Sequence, residues 1–123
     1  MLVGQWRHAW SEQSWEVPAG TLEEGEEPLH CAKRELAEEA GMQAAAWESL
    51  GTARGTAATT LRYHLYLARE LTRVDRAPEG YEQDMVLREV SLAEAIEEAM
   101  TGRIQHAVTV TALARAARRL GAI

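Results

Sequence analysis

Residues Gly20 to Met42 read GTLEEGEEPLHCAKRELAEEAGM. A polar, Gly-containing loop gives way to a segment framed by Pro28, suited to a first helical position, and Gly41, suited to the residue just past a last turn. Within that segment Arg34, Glu35, Glu38 and Glu39 fall inside two turns. At about 100° per residue, Glu35 and Glu39 lie on nearly the same side of a helix and Glu38 one step round. Three carboxylates brought to one patch repel one another unless a cation is present. Hard divalent ions take oxygen ligands, and Mg²⁺ favours a few carboxylates together with waters and substrate phosphates. The stretch therefore predicts a Mg²⁺ or Mn²⁺ site on a helix. Leu29, Ala32, Leu36 and Ala40, with Cys31, provide its apolar face. A blander reading exists, in which Arg34 and Glu38 at i,i+4 form a solvated ion pair.

The spacing decides between them. Gly20 is followed by Glu26, then by Arg34-Glu35-Leu36, then by Glu38-Glu39 and Gly41-Met42. Chance gives that set at roughly one in 10⁷ per starting point. The pattern resembles the Nudix box and matches each of its defining positions. The resemblance implies an α/β (α+β) fold, an α/β/α sandwich in which the box forms a loop–helix–loop beside a mixed sheet. It also implies metal-assisted hydrolysis of nucleoside diphosphates linked to another moiety. By the same resemblance Glu35 and Glu39 are the principal metal ligands, Glu38 a third, and the carbonyl of Ala19 another. Glu26 and Arg34 match positions that form a structural ion pair holding the loop to the helix.

Length, composition and charge bound what surrounds the box. With 123 residues, 46% of them hydrophobic, the chain reads as a single domain over 1–123. A formal charge of −6 argues against a nucleic-acid-binding surface. The single Cys31 excludes an internal disulfide, suits a reducing compartment, and reads as a small core thiol. Neither a membrane span nor a signal peptide is legible, and a cytoplasmic location is expected. His8, His30, His64 and His106 share no ligand spacing, so zinc is not expected.

Taken in order, Met1 to Arg7 reads as a strand with no leading loop, giving the expectation that further N-terminal residues precede it in the full-length protein. Ser11 to Ser14 reads as a polar turn, and Trp15-Glu16-Val17 as a strand leading into the box. Ala45 to Ala53, Leu61 to Leu71 and Asp84 to Val90 are further strands, the second marked by alternation of Leu61, Tyr63, Leu65 and Leu67. Residues 73–83, with Pro78 and Gly80, form the longest loop. Ser91-Leu92-Ala93-Glu94 is a capping-box start to a helix reaching Met100. His106 to Leu120 is helical, with Arg115, Arg118 and Arg119 favouring its C-terminus.

A narrower resemblance adds detail. Trp15 to Gly20, WEVPAG, and Gln5-Trp6-Arg7 are similar to segments of the ADP-ribose pyrophosphatase group, as is Ser91 to Ala95 followed by Gly102-Arg103-Ile104. That implies Arg7 and Glu16 as substrate-binding residues, and a small-molecule nucleoside diphosphate derivative as substrate. It also implies a homodimer and a general base on a late loop. Glu82 is the first candidate for that base, Glu79 the second, and Glu38 of the box the alternative. One departure is visible: Ala57 and Ala58 stand where the group usually carries a Pro, about fifteen residues beyond the box. Trp6, Trp10 and Trp47 read as core or interface residues ahead of base-stacking ones. A domain that binds a nucleotide metabolite without cleaving it, or an inactive fragment, are the rival readings.

Overall fold

The computed structural model describes residues 1–75 and 86–123. Strands β1 (Leu2–Arg7) and β2 (Glu12–Glu16) form an antiparallel hairpin. Helix α1 (Pro28–Ala40) follows, then β3 (Met42–Ala53) and β4 (Tyr63–Arg73), β5 (Val86–Arg88), and helices α2 (Leu92–Met100) and α3 (Ala107–Arg119). The expected α+β class stands. The sheet differs from the expectation: in place of one mixed sheet, the described strands form a three-stranded sheet in the order β2-β1-β5 and a two-stranded β3-β4 ribbon. All these pairs are antiparallel.

Local chemistry accounts for the helix ends. Pro28 opens α1 where its missing N–H is no loss, and Gly41 closes it at φ 64°, a left-handed conformation that costs glycine little. The chain then passes straight into β3 at Met42, three residues before the expected start at Ala45, because Val74 N–H bonds back to the Gly41 carbonyl. Ser91 caps α2 by accepting from the backbone N–H of Glu94 at 3.1 Å. The Glu94 carboxylate turns instead to Arg88, at 3.0 Å, so only half of the expected capping box forms.

Strand limits moved where pairing set them. The first turn falls on residues 8–11 rather than on Ser11 to Ser14, since Arg7 pairs with Glu12 and Gln5 with Ser14. The polar Glu12-Gln13-Ser14 run is tolerated because β2 is an edge strand with a solvated face. β4 runs two residues later than expected, from Tyr63 opposite Ala53 to Arg73 opposite Met42, and Leu61 is left outside it and exposed. A period-2 pattern marks the face of a strand but not its ends. Of the expected Asp84 to Val90 strand, residues 86–88 are extended, while 84 and 85 lie outside the described residues.

The core lies between the three-stranded sheet and the last two helices. Leu2, Ala95, Ile104 and Leu113 are buried together, with Trp15, Val17, Val90 and Val110 packed on them. Each large aliphatic side chain so buried contributes about 1.5–3 kcal/mol. α3 also reaches the other sheet. Arg115 Nη1 donates to the carbonyls of Leu50 and Thr52 at 2.9 and 2.7 Å, astride the irregularity between Ser49 and Thr52. Arg119 pairs with Glu48. Thus α3 binds both sheets, and α1 packs on β3 and β4.

Candidate active site

The buried side of α1 keeps Cys31 and Ala40 of the expected face but is turned toward the glutamates. Cys31, Glu35, Glu39 and Ala40 are buried, whereas Leu29, Ala32 and Leu36 are only partly covered. Cys31, Glu35 and Glu39 are spaced i, i+4, i+8, one stripe of the helix. The inward side is therefore the carboxylate side, with Glu35 7% and Glu39 1% exposed.

Gly20 lies against this stripe. A Cβ built on it would stand 2.1 Å from both Cδ and Oε1 of Glu35, so any side chain there displaces that carboxylate. The Gly20 carbonyl accepts from Cys31 Sγ at 3.7 Å, a second tie between loop and helix. Burial, aided by the negative charge of Glu26, pushes the Cys31 thiol up to about 11, so it stays protonated and is no nucleophile at neutral pH.

Arg34 is the hub of the loop. Its Nε and Nη2 donate to the two oxygens of Glu26 at 2.9 and 3.0 Å, a bidentate pair. Its Nη1 reaches Glu35 Oε1 at 2.8 Å and Glu38 Oε2 at 3.2 Å. Glu26 also accepts from the backbone N–H of Glu23 and meets His30 Nδ1 at 3.0 Å. The Arg34 hydrogen bond, with that backbone N–H, holds the Glu26 carboxyl far below the usual carboxylate range. A carboxylate depressed in the folded state contributes stability that is present above its unfolded pKa and lost as pH falls below it. Glu26→Gln is accordingly expected to lower Tm at pH 7, and to flatten the fall of Tm between pH 5 and 3, in thermal melts across that range. Metal affinity should change little, because its partner is Arg34. A large loss of metal binding at unchanged Tm would reverse the assignment.

The donor set fits a hard divalent ion in kind. Glu35, Glu38, Glu39 and the backbone carbonyl of Ala19 offer oxygen only. Among the described residues, however, no three Asp, Glu, His or Cys side chains converge on one cation position. Arg34 Nη1 lies between Glu35 and Glu38, supplying positive charge there.

A second polar group forms along one face of the first hairpin. Arg7 and Glu16, both expected to contact substrate, are paired with each other: Arg7 Nε donates to Glu16 Oε2 at 2.8 Å and Arg7 Nη2 to Oε1. Glu16 is 2% exposed. Burial pushes its carboxyl up, but hydrogen bonds from Arg7 and Ser14 outweigh that and leave it lowered. His106 Nε2 stands 3.6 Å from Glu16 Oε1, and His106 Nδ1 lies 2.8 Å from Thr109 Oγ1. Burial, against the pull of Glu16 and with the nearby Arg7 charge, lowers the His106 imidazole from its ordinary value. Neither His106 nor Thr109 carries a sequence signal, since they lie 90 and 93 positions from Glu16.

Trp6 and Trp10 are 57% and 46% exposed, so neither is a core residue of this chain. Trp47 is partly buried against Tyr66. Glu79 and Glu82 lie outside the described residues. No helix among the described residues is long and apolar enough to cross a membrane.

Comparison with known proteins agrees with the box. The model of the NUDIX domain matches residues 1–113. An ADP-ribose pyrophosphatase of Mycobacterium tuberculosis is 38% identical over 115 residues, covering 89% of this chain and 54% of that protein. A methanol dehydrogenase activator of Bacillus methanolicus is 36% identical over 117 residues, covering 92% of this chain and 62% of its own length. The chain thus spans between half and two thirds of these relatives. A solved structure of an ADP compounds hydrolase superposes with a TM-score of 0.86 at 19% identity, over 98% of this chain and 65% of the other, a likeness of fold. Box spacing, the glycine-cradled carboxylate helix and the family match together make this chain a member of the NUDIX domain family.

Proposed function

We propose that the chain hydrolyses a nucleoside diphosphate linked to another moiety, ADP-ribose or a related sugar nucleotide, by metal-dependent attack of water on the pyrophosphate. The observation that carries this reading is the burial of Glu35, against Gly20, and of Glu39 on the same stripe of α1. Two carboxylates drawn into a protein interior are costly unless cations and donors meet them. Glu35, Glu38, Glu39 and the Ala19 carbonyl would hold Mg²⁺ or Mn²⁺. A divalent ion bound there neutralises phosphate charge and lowers the pKa of water. With an ion bound, Glu35 and Glu38 would turn to it, and the bidentate Glu26–Arg34 pair would keep the loop in place.

The protein's own part is positioning and proton transfer. Arg7 supplies a cation for the substrate's anionic portion, and Glu16 fixes the plane of its guanidinium. A carboxylate base takes a proton from water as the new P–O bond forms. The bridging P–O bond breaks, and two phosphomonoesters leave. Glu82 is the proposed base, ahead of Glu79, with Glu38 the alternative. The protein is taken as a cytoplasmic homodimer acting on a small molecule, since a net charge of −6 repels polyanions. Exposed Trp6 and Trp10 are offered as interface residues.

The test is a substrate panel on the full-length protein: ADP-ribose, sugar nucleotides, dinucleotides and coenzyme A, each with and without Mg²⁺ or Mn²⁺. Phosphomonoester products are read as inorganic phosphate after phosphatase treatment. Metal-dependent cleavage of ADP-ribose or a sugar nucleotide above the others is the expected result. Binding of these compounds without cleavage under either metal overturns the proposal in favour of a sensing domain.

A further inference from the structure

We infer that His106 and Thr109 are positioning residues for the Arg7–Glu16 pair, and through it for substrate binding; the inference rests on the assignment of Arg7 and Glu16 to the substrate. Thr109 is 0% exposed, so its hydroxyl has no water to turn to. Its oxygen accepts from the backbone N–H of Val17 at 3.2 Å. Its one remaining proton has a partner at 2.8 Å, His106 Nδ1. An imidazole that accepts at Nδ1 carries its own proton on Nε2, the nitrogen that stands 3.6 Å from Glu16 Oε1.

One direction of hydrogen bonding therefore serves Thr109 and the Nδ1 of His106: Val17 N–H to Thr109 and Thr109 O–H to His106, which leaves the Nε2–H edge of His106 turned to Glu16. That distance is too long for a hydrogen bond but short enough for the N–H dipole to hold the carboxylate in its rotamer. Glu16 in turn orients Arg7 through two N–H groups. Trp10 covers the imidazole, with ring centroids 6.5 Å apart. The same threonine anchors the backbone of Val17, three residues before Gly20, so one buried hydroxyl fixes both the pair and the entry to the box loop. An imidazole at the N-cap of α3 and a hydroxyl in its first turn thus set the plane of an arginine on β1.

The experiment uses the full-length protein with Thr109→Val, Thr109→Ser and His106→Gln. Steady-state kinetics on the best substrate of the panel should show KM raised about tenfold in Thr109→Val and His106→Gln with kcat changed less than about twofold. Thr109→Ser, which keeps the hydroxyl, should restore KM. Melting temperature is measured alongside. In parallel, the Arg7 Nε–H resonance is followed by ¹⁵N NMR, and it should shift or broaden in Thr109→Val and His106→Gln but not in Thr109→Ser. Unchanged KM with a lowered Tm would mean that the two residues only hold the fold, and overturns the inference. So does failure of serine to rescue. If the unmodified protein cleaves nothing in the panel, the proposed function falls by itself. The NMR comparison then decides the inference alone: an unmoved Arg7 signal in Thr109→Val and His106→Gln overturns it.

Discussion

Glu39→Gln is expected to lower kcat by about a thousandfold, equivalent to about 4 kcal/mol of transition-state stabilisation, while leaving the metal-free protein folded. Glu39 is 1% exposed and sits in the last turn of α1, one turn beyond Glu35. Gln keeps the shape and removes the charge. A neutral amide costs less to bury than a carboxylate, so the fold should persist without metal. What the amide loses is the charge that a divalent ion needs. In the unaltered protein Mg²⁺ or Mn²⁺ should raise Tm by preferential binding to the folded state, and in Glu39→Gln that increment should vanish. Two readouts therefore move together, turnover and metal-induced stabilisation. Full activity in Glu39→Gln would remove the metal assignment outright.

The second large effect concerns the base. Glu82→Gln is expected to lower kcat by about 10²–10⁴-fold with KM nearly unchanged, since proton abstraction matters in the transition state and not in binding. Glu79→Gln should then be close to silent. Should both loop variants be silent, Glu38→Gln is expected to abolish turnover with metal still bound. Glu38 already has a competing duty, because Arg34 Nη1 lies 3.2 Å from its carboxylate. The loop glutamate is placed first because the resemblance to the ADP-ribose pyrophosphatase group implies a base on a late loop. Single-turnover kinetics on the three variants separates these cases.

The parts of this fold legible in the sequence are those marked by residues with only one easy conformation. Pro28 and Gly41 bracket α1 because each relieves a specific cost at a helix end. Ser91 marks the start of α2 for the same reason. Strand ends were less legible. Leu61 continues the alternation of β4, yet pairing with β3 excludes it.

The buried face of α1 departs from the apolar pattern for a more general reason. Cys31 and Ala40 point inward as that pattern predicts, but α1 also buries Glu35 and Glu39 and leaves Leu29 and Leu36 half-covered. A site that must hold charge inside inverts the pattern that ordinary packing follows. The His106–Thr109 contact with Val17 and Glu16 had no signal at all, since each partner lies far away in the chain and alone looks like a helix-cap residue.

That distance has a consequence for the order in which the protein assembles. The Val17–Thr109 hydrogen bond joins residues 92 positions apart, and Arg115 reaches back 65 residues to Leu50. By contrast, the β1–β2 hairpin and the Glu26–Arg34 pair close over fewer than ten residues. Local contacts carry little loop-closure entropy and form first, whereas contacts of long span wait for the chain between them to be gathered. On a ribosome the box loop and its helix emerge well before α3 does. The lead-in to the loop therefore stays unanchored until α3 docks, and the Arg7–Glu16 pair settles only after α3 has emerged.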